Sequence, residues 1–418
     1  MEINEADRRF LLQAFVSLVK IPSASSPNAV SKPTAEGEIL ILKRIERLLR
    51  AWGVNPVFYD NGYLLLRVPA SDGYEERPAI GFLAHVDTSP DCGGDHISPQ
   101  IVRNYEGGII RLKNGAVLSP IDYPELLNFK GDDIVTSTGE TLLGADDKAG
   151  VAILMGMIRK LTKENIPCGE LYFLFTTDEE VGRGMENPPL NEFKPKYAFT
   201  FDGGTLGEAE YECFNAVSAV FEITGRAAHL GQAKGKLVNA IDVAAALTAA
   251  LPEQEKPETT EGNEGYFCPV SLEGSLEKAE LTIIVRDFEE EGIRRRVAFL
   301  REMAIKTEKK FDGAVINVKT AWKYRNMKSF IPENLIEYLL KSMEKAGIEP
   351  KIRAVRGGTD GAVLSELGIP CPNLFTGGHN FHSCLEWLSV SAFYTAFSLG
   401  MTLIEEAEFL KNKGLGKK

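Results

Sequence analysis

Histidine is scarce in this chain, with five residues in 418. Four of them, His85, His229, His379 and His382, fall in the segments richest in candidate chemistry. The six cysteines (Cys92, Cys168, Cys213, Cys268, Cys371, Cys384) are scattered and form no C-x-x-C pair. That spacing argues against a zinc ribbon and a disulfide framework, and for a reducing compartment. No apolar run reaches the length of a membrane span. The first residues, Met1-Glu2-Ile3-Asn4-Glu5, lack the basic start and apolar core of a signal peptide. The expected location is the cytoplasm, with no membrane partner. No Lys/Arg cluster is dense enough for nucleic acid. Arg294-Arg295-Arg296 is short and flanked by Glu289-Glu290-Glu291, as on a solvated helix face. The net charge of −12, with both signs interspersed, fits a soluble protein and says little about substrate.

The length predicts two or three domains. Arg8–Lys20 and Glu36–Trp52 read as amphipathic helices, the second with Thr34 as N-cap and Gly53 as stop. Asn61-Gly62 joins two short strand-like runs, a hairpin signal. Ala79–Ala84 is continuously apolar, which suits a strand buried on both faces. After Asp87 the chain becomes loop-rich through Gly139, with another Asn-Gly turn at Asn114-Gly115. A helix (Val151–Leu161) and two strands (Leu171–Thr177, Tyr197–Phe201) follow, an α/β pattern. Between Tyr211 and Arg325 the order becomes β-α-β-β-α-β, that of a ferredoxin-like unit. The α/β pattern then resumes to the end. The expected fold is α/β: a catalytic domain (1–210 and 326–418) with a mixed, mostly parallel sheet and helices on both faces, interrupted by an inserted α+β ferredoxin-like lid domain (211–325).

Several apolar runs end on acids or histidine: Ala79–Ala84 into His85-Val86-Asp87, Leu171–Thr177 into Asp178-Glu179-Glu180, and Tyr197–Phe201 into Asp202-Gly203-Gly204. Asp146-Asp147 stands just ahead of a helix. Each has a plain structural account. Acids are favoured at helix N-termini, an H-x-D pair can be structural, and three acids in a row can be an exposed turn. Together they say more, because a parallel sheet gathers ligands beyond the carboxyl ends of its strands. The set His85, Asp146, Glu180, Asp202 and His382 offers imidazole and carboxylate without thiolate, which suits zinc, cobalt or manganese. Three or four ligands per ion, with one carboxylate shared, would hold two ions about 3.5–4 Å apart around a bridging water. Asp87 could orient His85, and Glu179 could serve as an unligated general base.

The segments LLGADDKAG (from Leu142), FLAHVDTSPD (from Phe82), FTTDEEVGRG (from Phe175), RGGTDG (from Arg356) and NLFTGG (from Asn373) resemble the M20 metallopeptidases, in particular their tripeptide-aminopeptidase branch. The likeness runs end to end and includes PETTEG (from Pro257). It implies a di-zinc exopeptidase, with cobalt or manganese as substitutes. His85, Asp146 and Asp202 would hold one zinc; Asp146, Glu180 and His382 the other, with Asp146 bridging. Asp87 would orient His85, and Glu179 would be the base. His229, Asn239 and Arg356 match substrate-binding positions, Arg356 as a fork for a substrate carboxylate. The expected partner is a short peptide with a free N-terminus, and the family also pairs through its inserted domain. His379 stands where an aromatic residue is expected, and Leu230 where a proline is. Other activities of the same scaffold (dipeptidase, aminoacylase or deacylase) and a non-catalytic binder are the alternatives.

Overall fold

The strand Ile80–His85 is buried along its whole length, because it has neighbours on both edges and cover on both faces. It runs parallel to Leu171–Thr176 on one side and to Tyr197–Gly203 on the other. The full sheet has eight strands, in the order Val57–Tyr59, Tyr63–Val68, Leu171–Thr176, Ile80–His85, Tyr197–Gly203, Asn373–Phe375, Glu208–Cys213 and Lys351–Val355. It is mixed: the centre is parallel, and Tyr63–Val68 pairs antiparallel with Leu171–Thr176. Side chains alternate across it as the two-residue period requires. Leu64, Phe82, Phe173, Phe175 and Phe201 join one apolar cluster, while Tyr63, Leu65, Leu83, Tyr172 and Leu174 join another. Phe82 stacks on Phe173 at 5.5 Å and on Phe199 at 6.1 Å between ring centroids. Truncating such a ring to alanine costs about 3–5 kcal/mol. These layers hold the strand ends still.

The computed structural model describes residues 3–411, which fall into two units. The first contains the eight-stranded sheet. It runs up to Tyr211, then covers Ser329–Arg353 and resumes at Thr359. Its helix Ala145–Glu164 lies on Ile80–His85 and touches the helices Glu5–Leu18 and Val390–Glu405. The second unit comprises Glu212–Lys328 and Ala354–Gly358. It has a four-stranded antiparallel sheet in the order Tyr266–Gly274, Lys278–Asp287, Asn215–Thr224, Val315–Tyr324. The helices Ala240–Ala249 and Glu290–Lys310 complete its own apolar core. This is the ferredoxin-like arrangement.

Three local expectations need correction. The loop-rich stretch from Asp87 to Gly139 is not irregular throughout: Ile134–Thr136 pairs with Gln100–Val102 on one edge and with Trp387–Ser389 on the other. Trp387–Ser389 lies more than 200 residues beyond Ile134–Thr136, so no local pattern announces that pairing. The helix Glu36–Ala51 is capped at Ala35, not Thr34, because Glu38 reaches back to accept the Ala35 N–H at 2.8 Å. Finally, Cys92 and Cys384 form a disulfide across a sequence separation of 292, with Cα atoms 5.9 Å apart. Among the described residues, Cys168, Cys213, Cys268 and Cys371 take no part in a disulfide.

Candidate metal centre

The parallel strands stop side by side, and the chain beyond their ends carries the polar residues. His85 ends one strand. Asp178-Glu179-Glu180 follows another, and Asp202 lies near the end of a third. Asp146 and Asp147 open the helix Ala145–Glu164 with non-helical backbone angles, and the peptide between them is cis. His382 sits in the loop before Trp387 with φ of +58°, a left-handed conformation that bulky residues rarely adopt.

These side chains meet. His85 Nε2 lies 3.0 Å from Asp146 Oδ1 and 3.3 Å from Asp202 Oδ1. His382 Nε2 lies 3.3 Å from Asp146 Oδ2 and 2.9 Å from Glu180 Oε2. Asp146 therefore presents one oxygen to each imidazole. Ligating atoms fall within 4.8 Å of one another in two groups: His85 with Asp146 and Glu180, and His85 with Asp147 and Asp202. The second group brings in Asp147, which is not among the ligands expected from the sequence. Its oxygens are already engaged: Oδ1 accepts the Gly150 N–H at 3.0 Å and Oδ2 the His85 N–H at 3.2 Å.

A second layer holds the first. Asp87, fully buried, has Oδ1 3.3 Å from His85 Nδ1, though without the alignment of a hydrogen bond. Its two oxygens also accept the N–H groups of Glu179 and Glu180, each at 3.1 Å. One carboxylate thus ties the His85 ring to the turn carrying both glutamates. Glu38 accepts the Asp178 N–H at 2.9 Å, steadying a residue whose φ is +63°. Asn373 accepts the Asp202 N–H at 3.0 Å.

Glu386 was not singled out as a site residue, yet it does the most here. Its carboxylate accepts the N–H groups of Leu143, Gly144, Ala145 and Asp146 at 2.6, 2.7, 2.7 and 3.1 Å. Four donors converging on one buried acid fix the backbone that aims Asp146. The one sequence signal was its position four residues after His382. Asp91 was also missed: its Oδ2 lies 3.2 Å from His382 Nδ1.

The electrostatics follow from crowding of like charge. Burial, added to the charge of Asp146, lifts Glu180 to about 7. Burial lifts Asp202 to about 7 as well, with Asp146 again adding to the effect. Burial and Asp202 push Glu179 well above its ordinary range. Burial also works against a charged His85, but Asp202, Asp146 and Asp87 outweigh it and raise its pKa. Hydrogen bonds to Asp146 and Glu180 raise His382 to about 11. Asp146 is buried, yet its two imidazole partners hold it below the usual carboxylate range. So many acids at one point call for positive charge. A pair of divalent cations would supply it, and the donors present fit them. Glu180 Oε1 is buried without a hydrogen-bond partner, and the set is imidazole and carboxylate throughout.

His379 does not join this cluster. It stacks on Trp387, with centroids 3.9 Å apart and planes 5° from parallel, and meets the edge of Phe129. Burial lowers its pKa to about 4, so the neutral ring takes the place of an aromatic side chain. His229, Asn239 and Arg356 belong to the second unit. His229 is exposed. Asn239 caps the helix Ala240–Ala249 by accepting the Ile241 N–H at 3.0 Å. Arg356, read from the sequence as part of the catalytic domain, donates to Gly262 O and Thr260 Oγ1 at 2.9 and 2.7 Å. Its guanidinium lies over Phe214 and Tyr266.

The model of peptidase family M20/M25/M40 matches residues 139–406. The chain belongs to that family. As an M20/M25/M40 member it is a hydrolase that acts on peptide bonds. It is 40% identical over 401 residues to a peptidase T from Geobacillus sp. (strain WCH70), covering 94% of this chain and 98% of that protein. It resembles the crystal structure of aminopeptidase PepT from Bacillus cereus with a TM-score of 0.72 at 25% identity, over 96% of this chain and 99% of the other. In fold it also resembles a dinuclear metal-binding M20 peptidase from Bacillus subtilis, with a TM-score of 0.65 at 15% identity over 96% and 98% of the two chains. Among the described residues, no helix is long and apolar enough to cross a membrane.

Proposed function

We propose that this chain is a metallo-aminopeptidase that removes the N-terminal residue from short peptides, tripeptides foremost, in the cytoplasm. The observation that carries the reading is the placement of Asp146, one oxygen toward His85 and the other toward His382. On this reading His85, Asp146 and Asp202 hold one zinc, and Asp146, Glu180 and His382 hold the other. Cobalt or manganese serve as substitutes, and Asp147 supports the backbone without ligating. When bound, the two ions supply Lewis acidity, easing water deprotonation and offsetting negative charge on the scissile carbonyl oxygen. The chain's own groups do the rest. Glu179 takes a proton from the attacking water and delivers it to the leaving amine. Asp87 keeps Glu179 and His85 in register. His229, Asn239 and Arg356 are proposed to contact substrate on the strength of the family likeness, and pairing of two chains through the second unit is proposed on the same ground.

The test is metal content and turnover together. Asp146→Ala should lose both ions by elemental analysis. Glu179→Ala should keep them and lose most tripeptide hydrolysis. Two metals retained by the first variant, or near wild-type turnover by the second, would refute the assignment. A panel of tripeptide, dipeptide and N-acyl amino acid separates an aminopeptidase from a dipeptidase or an aminoacylase.

A further inference from the structure

The two imidazoles of the centre are supported unequally. His85 faces a fully buried acid, Asp87, whose oxygens are fixed by two backbone N–H groups. His382 faces Asp91, whose side chain is 65% exposed, and is itself 43% exposed. An exposed pair of this kind gains little from its own attraction, because water screens it and the side chains lose freedom in meeting. Something else must hold Asp91 and His382 at 3.2 Å. The disulfide lies beside both: Cys92 is the next residue after Asp91, and Cys384 is two beyond His382. Both cysteines are partly exposed, so the bond is open to a reductant. The hydrogen bonds inside its loop do not involve the His382 side chain: Asn380 Nδ2 donates to Leu385 O at 3.2 Å, Leu385 N to Ser383 Oγ at 3.1 Å and Glu386 N to Ser383 O at 3.1 Å, while Ser137 Oγ reaches Cys384 O at the 3.5 Å limit.

We propose that Asp91 is a positioning residue for His382, and that the Cys92–Cys384 bond holds the pair together, so that the centre keeps its second metal only while the bond is intact. This rests on the metal assignment above and adds redox control to it. Metal-bound histidines depend on the acceptor at their other ring nitrogen, and loss of that partner costs about 10–100-fold in affinity. In a cell the reductant would be a thiol pool: two thiols are oxidised to one disulfide, and their two electrons and two protons pass to the Cys92 and Cys384 sulfurs.

The experiment titrates Zn²⁺ into the metal-free full chain in four forms: purified without reductant, reduced with a water-soluble trialkylphosphine and desalted, Cys92→Ser/Cys384→Ser, and Asp91→Asn. In the reduction the phosphine becomes its oxide with oxygen from water, and the two protons of that water end on the cysteine sulfurs. The unreduced chain should bind two equivalents and show four thiols in denaturant. The other three forms should bind one equivalent as before and the second about tenfold or more weakly. Reoxidation should restore the reduced sample. Asp91→Asn after reduction should add little to either change alone, since both act on one contact. Because reduction needs no substitution, a serine variant that fails to fold does not spoil the test. Unchanged binding of both equivalents once six thiols are exposed, or six thiols from the outset, would overturn the proposal. A wild-type chain that binds no metal pair would overturn this proposal and the metal assignment together, whereas normal binding that ignores the bond would overturn this one alone.

Discussion

Replacing Glu386 should show how much of this centre is backbone rather than side chain. Its carboxylate accepts four N–H groups, from Leu143 to Asp146. Glu386→Ala leaves all four without an acceptor. A buried donor left unsatisfied costs about 1–3 kcal/mol. Water entering the space left by the side chain moderates that cost, so the low end applies, and four donors come to about 4 kcal/mol. That is a large share of a total stability of roughly 5–15 kcal/mol. Glu386→Gln is the sharper probe. One oxygen remains and can serve two of the four donors; the new NH₂ group then faces the other two. The expected loss is about 2 kcal/mol, small enough for the protein to fold. Asp146 should nonetheless lose its aim, and metal affinity should fall by about 10–100-fold. Denaturant unfolding gives the first quantity, metal titration the second, and tripeptide turnover follows the metal. A Gln variant with wild-type stability, both metals and full turnover would refute the view that these amides need an anion.

Three further outcomes follow from the same geometry. In the metal-free protein, Glu180 and Asp202 keep protons up to about pH 7 that the unfolded chain has already released, and His382 keeps its proton up to about 11. The native state is then the better proton binder, so its stability should fall between pH 6.5 and 8.5, while the gain from added zinc should grow; thermal unfolding with and without zinc checks this, and greater metal-free stability at pH 8.5 would refute it. His379→Phe should keep activity and protect against acid. The native ring stays neutral down to about pH 4 while the unfolded one takes its proton below about 6.5, so this residue costs about 3 kcal/mol near pH 4; denaturant unfolding at pH 4.5 and pH 7 would reveal an unchanged acid loss if the reasoning is wrong. Asp87→Ala strips the acceptor from the Glu179 and Glu180 N–H groups and the partner from His85, and should lower turnover by about tenfold or more even with zinc in excess; a wild-type kcat at saturating metal would refute that role.

What was legible in the sequence has a common character. Apolar runs that end on acids mark strands and the places beyond them, so the meeting of His85, Glu180 and Asp202 rests on runs such as Leu171–Thr176 that can be read locally. The ferredoxin-like order of the second unit is visible for the same reason. What stayed hidden depends on residues brought together across long separations. Glu386 reaches Leu143 across 243 residues, and Cys92 reaches Cys384 across 292. Nothing near either residue signals its partner. The strands Gln100–Val102 and Ile134–Thr136 were hidden because each is three residues long, too short for a period to show. Thr34 looked like a cap because hydroxyls often are; the side chain of Glu38 took that work, and the Thr34 N–H went to Asp178 instead.

Asp87 has a consequence for how the centre tolerates motion. The same carboxylate touches the ring of His85 and the amides of Glu179 and Glu180. A sway of the strand end is therefore common to the His85 imidazole and to both glutamates, and their mutual spacing survives it. Thermal jitter that would blur three separately anchored groups moves these as a single block, so the reach of Glu179 stays constant while the whole assembly drifts.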